Sequence, residues 1–501
     1  MRFSAADREA LRALMPPGAQ PAAAAAAGVT AVSDPVAQAP ELPAASDAVS
    51  PPEADAPAAA ALPADGRGQL VAEYFDLMRG FLDQQRSVLQ RWQGDEQAAP
   101  ATRAYPLLDA ITEADEQHLL ADCRVDVATQ AYLRDHVLSG PVTAFESELR
   151  GLACVPMMVS LEIMAEACAC LMSDETGDAA PQVIEQVKAF DWIALDEGEA
   201  ALQVRADRID ALSCRALLTR DGKPIISAVF GFDAQWQLPP VAPPAAPQPT
   251  PWNGDELYQI GMFHGPIFQS IRHIDGWDAG GITAQLTEVG LDGFLTPGER
   301  PALVLNPVLL DAVGQLAAFW IAQYAGYDFN CFPSTIERIE LYQPCPAGLA
   351  GLQLHARQAP LDPAATEVAA VRRWDFECVD AHGQPLLRIK NLVNVFFAVP
   401  NRFYQVRRSP LDGALGAPAG LPAPDGVLLW DLPHLPDEFC AQSGSIFLRM
   451  LAHAVLGGPE RAEWAALTGS LTHRRQWLLG RACLKEAVRE WVQQQSGQRL
   501  H

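Results

Sequence analysis

Pro307-Val-Leu-Leu-Asp311-Ala-Val-Gly-Gln315-Leu-Ala-Ala-Phe-Trp320 reads as a helix without a solvent face. Proline suits a first helical turn, where a backbone N–H has no partner to lose. After it, only Asp311 and Gln315 break the apolar character. A helix that is hydrophobic all round is enclosed by protein. Pro156 introduces a second segment of this kind, Met157-Met-Val-Ser-Leu-Glu162-Ile-Met-Ala-Glu166-Ala-Cys-Ala-Cys-Leu-Met172, interrupted only by Ser160, Glu162 and Glu166.

Strand-like segments surround both helices. After the first come 186–193, 201–207, 213–219 and 225–232, with Asp221-Gly222-Lys223 as a hairpin turn. The second helix is expected to run to about Tyr324. It is followed by segments at 336–342, 352–357, 368–379 and 386–397, with a turn at Asp380-Ala-His-Gly383. A sheet wrapped around one central helix, built twice, accounts for this grammar. The expected class is α+β, a double hot-dog with one unit over 100–238 and the other over 252–400. Between them, Pro239 to Pro251 carries seven prolines in thirteen residues and predicts a stiff, extended linker.

Outside these units the chain changes character. Residues 1–66 are Ala- and Pro-rich and cannot bury a core, so a disordered leader is expected. Residues 67–97 read as one amphipathic helix, with Tyr74, Met78, Phe81, Leu82, Val88, Leu89 and Trp92 near helical spacing. Residues 401–425 read as a second linker, and 426–501 as a helical segment that opens a further domain.

The net charge of −25, from 36 basic and 61 acidic residues, opposes phosphate backbones and argues against a nucleic-acid role. The ten cysteines show no metal-like spacing and read as buried thiols of a reducing compartment. The amino terminus lacks the apolar core of a signal peptide, and no apolar run reaches membrane-spanning length. A soluble, cytoplasmic protein is expected.

Candidate chemistry begins with the two misplaced polar residues of the apolar segments. Burial of Asp311 would raise its pKa towards a protonated acid near neutrality, while the positive end of its helix would favour ionisation, and the balance decides whether it starts as the acid. Gln315, one turn on, faces the same way and would bond Asp311 or a ligand hydroxyl. His136, which opens His136-Val-Leu-Ser-Gly140, would supply a neutral imidazole as base. A lone histidine after a polar turn equally fits a structural or exposed role. For Glu162 and Glu166 the expectation is a solvated stripe or a domain contact. His264-Gly265-Pro266-Ile267-Phe268-Gln269 is a compact turn leading into a strand, in which His264 is a candidate second base. Arg372-Arg373 fits a surface pair or a phosphate contact.

In this order the motifs resemble those of the dehydratase domain of type I polyketide synthases and of polyunsaturated-fatty-acid-type synthases. His136 and Gly140 match HxxxG, Gly265-Pro266-Ile267-Phe268-Gln269 matches Gly-Pro-x-Phe-Gln, and Asp311 with Gln315 matches DxxxQ. Cys331-Phe332-Pro333 followed by Ile336-Glu-Arg-Ile339 resembles the later Leu-Pro-Phe region. Two positions depart from the pattern: Phe145 stands where the family has proline, and Phe263-His264 replaces the tyrosine before Gly-Pro.

The resemblance implies dehydration of a 3-hydroxyacyl group carried on the phosphopantetheine arm of an acyl carrier protein. His136 would remove the α-proton and Asp311 would protonate the departing hydroxyl. Gln315, Gly140, His264, Gly265 and Phe268 would position the substrate, with backbone N–H groups near Gly140 or a helix N-terminus meeting the thioester oxygen. No metal or organic cofactor is implied. Partners would be the carrier protein, other synthase domains and a second copy in a homodimer. A product-template-like cyclase and a non-catalytic scaffold binding carrier protein are the rival expectations. The tail, through Trp477-Leu-Leu-Gly480-Arg481 and Lys485-Glu486-Ala487, resembles the start of a 4'-phosphopantetheinyl transferase. That family places its magnesium-binding acids later in its fold, so no transferase activity is expected of this chain alone.

Overall fold

The computed structural model describes residues 105–497, apart from 144, 147–148, 177–178, 251, 261, 288–289, 325–330, 344–350, 360–370, 398–399, 425–426, 433–434 and 436. The leader over 1–66 and the helix over 67–97 lie outside the described residues.

The first half contains strands β1 (Ala110–Ala114), β2 (His118–Asp126) and β3 (Ala153–Cys154), then helix α1 (Met157–Thr176). It continues with β4 (Val183–Ala189), β5 (Ala194–Leu195), β6 (Glu199–Asp210), β7 (Ser213–Arg220) and β8 (Lys223–Gly231). The second half contains α2 (Gly254–Ile260), β9 (Ile271–Asp278), β10 (Gly281–Leu286) and α3 (Pro307–Gln323). Its remaining strands are β11 (Cys331–Leu341), β12 (Gln353–Gln358), β13 (Val371–Val379) and β14 (Pro385–Phe396).

Twelve strands form one antiparallel sheet in the order β1-β2-β6-β7-β8-β4-β11-β14-β13-β12-β10-β9. The halves meet where β4 pairs with β11, Ile184 opposite Ile339 and Val187 opposite Ile336. Strands of the first half alternate as a half-buried sheet should: Ala200, Leu202, Val204 and Ala206 of β6 point inward between exposed neighbours. They cover α1, while the sheet of the second half covers α3. Helix α3 begins as its sequence dictates, with Pro307 in the first turn and the Asn306 side chain accepting the Leu309 N–H at 3.0 Å.

Glu162 and Glu166 are fully buried, so the stripe is not solvated. Glu162 accepts the Val304 and Leu305 N–H groups at 2.6 Å each, and Glu166 accepts that of Leu107 at 2.9 Å. Glu162 thereby ties α1 to the chain leading into α3. Burial raises the pKa of both carboxyls, that of Glu162 to about 8.

The proline-rich connection is not a free spacer. The N–H groups of Gln237 and Leu238 donate to Glu340, that of Val241 to Glu377 and that of Ala245 to Asp278. Acidic side chains of the second half thus hold it along the sheet, as proline leaves enough N–H groups to be captured.

Beyond residue 400 the chain forms α4 (Asn401–Arg408), a two-stranded pair of β15 (Ala417–Pro418) and β16 (Trp430–Asp431), α5 (Asp437–Val455), α6 (Gly458–Ala466) and α7 (Leu471–Ser496). These helices do not stand apart as a new domain. Phe403, Phe439, Phe447 and Leu451 share one core with Leu138, Leu152, Cys154 and Ala194 of the first half. Glu486 is buried, accepting N–H groups from Leu415, Gly416 and the Trp430 indole at 2.6, 2.7 and 3.0 Å. Among the described residues every cysteine is free, and no helix is long and apolar enough to cross a membrane.

Candidate active site

Asp135 and His136 follow a short 3-10 turn at Ala131–Arg134 and bridge to His264 and Gly265. The Asp135 carbonyl accepts the Gly265 N–H at 2.7 Å, and its carboxylate accepts the Ile267 N–H at 2.8 Å. A Cβ on Gly265 would lie 2.5 Å from Asp135 Oδ1, so glycine is what allows the two segments to approach. This contact sets the His136 and His264 rings 5.2 Å apart between centroids.

His136 Nδ1 lies 2.7 Å from the Cys154 carbonyl oxygen. A carbonyl only accepts, so Nδ1 carries the hydrogen and Nε2 presents a lone pair. Burial depresses the pKa of this imidazole to about 4, assisted by His264 and opposed by Asp311. His136 is therefore a neutral base at physiological pH. Phe263 and Phe268 meet its ring edge-on at 5.1 and 5.6 Å.

Asp311 projects from α3 toward both histidines, with its Oδ2 3.2 Å from His264 Nε2. Gln315 Nε2 donates to the same oxygen at 2.8 Å and to the Phe268 carbonyl at 3.0 Å. Gln315 Oε1 in turn accepts from the Tyr258 hydroxyl at 2.8 Å, and that hydroxyl accepts the Ile271 N–H at 3.0 Å. Burial pushes the Asp311 pKa up, but His264, His136 and the Gln315 amide outweigh it and hold the carboxyl below its ordinary value. The expectation of a carboxyl raised by its apolar helix fails for this reason: the helix is apolar, yet the space in front of Asp311 is not.

His136, His264, Asp311 and Gln315 line a cavity of about 360 Å³. Its walls include Met157 and Met158 from the first turn of α1, Ile226 of β8, Trp192, Phe332, and Gly314 and Ala318 of α3. Five residues were expected to position the substrate; of these, His264 and Gln315 face the cavity. Gly140 does not: its N–H donates to the Arg407 carbonyl at 2.9 Å, and a Cβ there would collide with the Arg408 carbonyl oxygen. It serves the junction with α4 and cannot meet a thioester oxygen. Gly265 and Phe268 shape the wall from behind. Gln315 has its amide engaged by protein groups, so it orients the carboxyl and leaves the substrate hydroxyl to others. Phe145 is 84% exposed, and Arg372 and Arg373 lie on β13 away from the cavity.

Sequence reasoning missed Tyr258 and Asp135. The signal for Asp135 was its place beside His136; Tyr258 offered none, because its role depends on contacts made only in the fold.

Donor atoms of His136, His264 and Asp311 lie within 4.8 Å of one another, the two-imidazole, one-carboxylate set that suits a divalent ion. A metal-bound imidazole needs an acceptor for its other N–H. His136 has one in Cys154, but His264 Nδ1 is buried without a partner. His264 thus lacks the second acceptor that usually fixes a metal-bound imidazole.

A family model described as polyketide synthase dehydratase N-terminal domain matches residues 237–394, a span that contains His264, Asp311 and Gln315 but not His136. No curated protein matches the chain. Among solved structures, the dehydratase domain of a mycocerosic acid synthase-like polyketide synthase is 18% identical, covering 60% of this chain and 99% of its own, with a TM-score of 0.45. The dehydratase domain of PpsC from Mycobacterium tuberculosis, in complex with C12:1-CoA, is 19% identical over 58% of this chain and 99% of its own, with a TM-score of 0.43. The pyran synthase domain from module nine of the sorangicin pathway is 20% identical, with coverages of 58% and 99% and a TM-score of 0.43.

Proposed function

We propose that residues 105–400 form a double hot-dog dehydratase that removes water from a 3-hydroxyacyl thioester on an acyl carrier protein. The observation that carries this reading is a neutral imidazole with a free Nε2, facing an aspartate–histidine pair across an apolar cavity. His136 Nε2 takes the proton from the carbon next to the thioester. The electron pair of that C–H bond forms the double bond, and the hydroxyl leaves from the next carbon. It departs as water, taking a proton from the Asp311–His264 pair, which begins the step with one proton beyond a carboxylate and a neutral imidazole and ends it without that proton. The proton gained by His136 then returns to that pair through the cavity, so the site is reset without a cofactor or a metal. The first turn of α1 borders the same space, and the positive end of its helix favours the negative charge that grows on the thioester oxygen. Trp192, Phe332 and the methionines keep water from competing.

For the helices beyond residue 400 we assign packing. Glu486 and Lys485, of the segment that resembles a phosphopantetheinyl transferase, bond to neighbouring helices and strands of this chain. Association with other synthase domains and a homodimer accord with the same reading.

The protein should be incubated separately with a 3-hydroxyacyl carrier protein and a poly-keto carrier protein, and the carrier weighed afterwards. Loss of one water from the hydroxyacyl form alone is expected. Turnover of the poly-keto form alone would mark a cyclase, and tight carrier binding without turnover of either would mark a scaffold.

A further inference from the structure

Gly314 sits in the middle of α3, three residues after Asp311, and borders the cavity. Glycine inside a helix is destabilising relative to alanine. Nothing local demands it: its φ is not positive, and a Cβ built there would meet no atom within 4 Å. Gly140 and Gly265, by contrast, are glycines because a Cβ would strike a neighbour. The helix therefore gives up stability here to keep a space open rather than to relieve a clash. That space adjoins the reacting groups, since Asp311, Gly314, Gln315 and Ala318 share one helical face and all line the cavity.

We propose that Gly314 is a specificity-determining residue, holding open the path along α3 for the apolar chain of the acyl substrate. This rests on the dehydratase reading and adds to it the substrate class: acyl groups extending beyond the reacting carbons. The apolar chain is assigned to this path because Gly314, Ala318, Met158 and Phe332 border the cavity without a polar side chain, whereas Ser160, Asp191, Ser334 and Asn394 elsewhere in its lining offer the arm's amides hydrogen-bond partners.

The test uses Gly314→Ala and Gly314→Leu in the full chain, with 3-hydroxybutyryl and 3-hydroxydodecanoyl pantetheine as probes. Gly314→Ala should melt at or above the temperature of the parent. Gly314→Leu should bind the long probe at least about tenfold more weakly by calorimetry, a loss of the size that filling an apolar pocket gives. Binding of the short probe should change by less than about threefold. Equal weakening of both probes, or none of either, would overturn the proposal. Should Gly314→Leu fold poorly, Gly314→Val, which fills less of the same space, is read in the same way. Turnover of the same probes is measured in parallel. Selective loss of long-chain binding in Gly314→Leu, together with a parent that eliminates no water, would sink the dehydratase reading and leave the role of Gly314 standing.

Discussion

His136 has its acid–base character set by one bond and one environment. The bond to the Cys154 carbonyl fixes the tautomer, and burial keeps the ring neutral. A base must be deprotonated to act, so the acidic limb that it contributes to kcat/KM is expected near pH 4 instead of 6.5. A pH–rate series checks this, and an acidic limb near the ordinary histidine value would contradict it. Tyr258 is a positioning residue, acting on Asp311 through Gln315. Tyr258→Phe removes the hydroxyl that Gln315 Oε1 and the Ile271 N–H share, at an expected cost of about 1–3 kcal/mol in denaturant unfolding. It should lower kcat with little change in KM; a change in KM alone would place Tyr258 in binding. At this scale His136, Asp311 and Gln315 were legible, because polar residues stand out in apolar company. The ionised state of Asp311 was not, because it depends on His264, 47 positions away by subtraction (311 − 264).

Elements bring these residues together through backbone contacts. The bridge between the segments at His136 and His264 requires Gly265, and Gly265→Ala is expected to cost about 1–3 kcal/mol by overpacking. Because the bridge aligns both imidazoles, the variant should lose activity at temperatures where it remains folded. Helix α1 is tied to the start of α3 by Glu162, whose pKa, like that of Glu166, is raised by burial. The folded state keeps a proton that the unfolded chain releases. The stability it contributes is complete below the ordinary carboxyl value of 4.5 and is lost as pH rises through about 8. The denaturation midpoint should therefore fall as pH rises from about 4.5 to about 8, and Glu166→Gln should flatten that slope. An unchanged slope would mean that the pair is already ionised. Both central helices could be read from sequence, since all-round apolarity leaves no other interpretation. The seam between β4 and β11 could not, because edge pairing of strands so distant in the chain leaves no local pattern.

Across the whole molecule, the helices beyond residue 400 are part of the structure that supports the site. Leu138 and Cys154, which flank and anchor His136, share one buried core with Phe403 and Phe447. A chain ending at residue 400 would expose this shared core and is expected to aggregate. If it stayed soluble and kept full turnover, the helices would be dispensable. The sequence signals in this region concerned resemblance to another enzyme, and they concealed the packing role because Glu486 and Trp477 look like motif residues until their partners are seen. The central claim is that His136 is the base that starts the elimination of water. Its most direct measurement is single-turnover mass analysis of a 3-hydroxyacyl carrier protein with the parent chain and with His136→Ala. The parent should convert the carrier to a species lighter by one water, and the variant should be slower by roughly a hundredfold to ten-thousandfold. Equal rates in the two proteins would contradict the account.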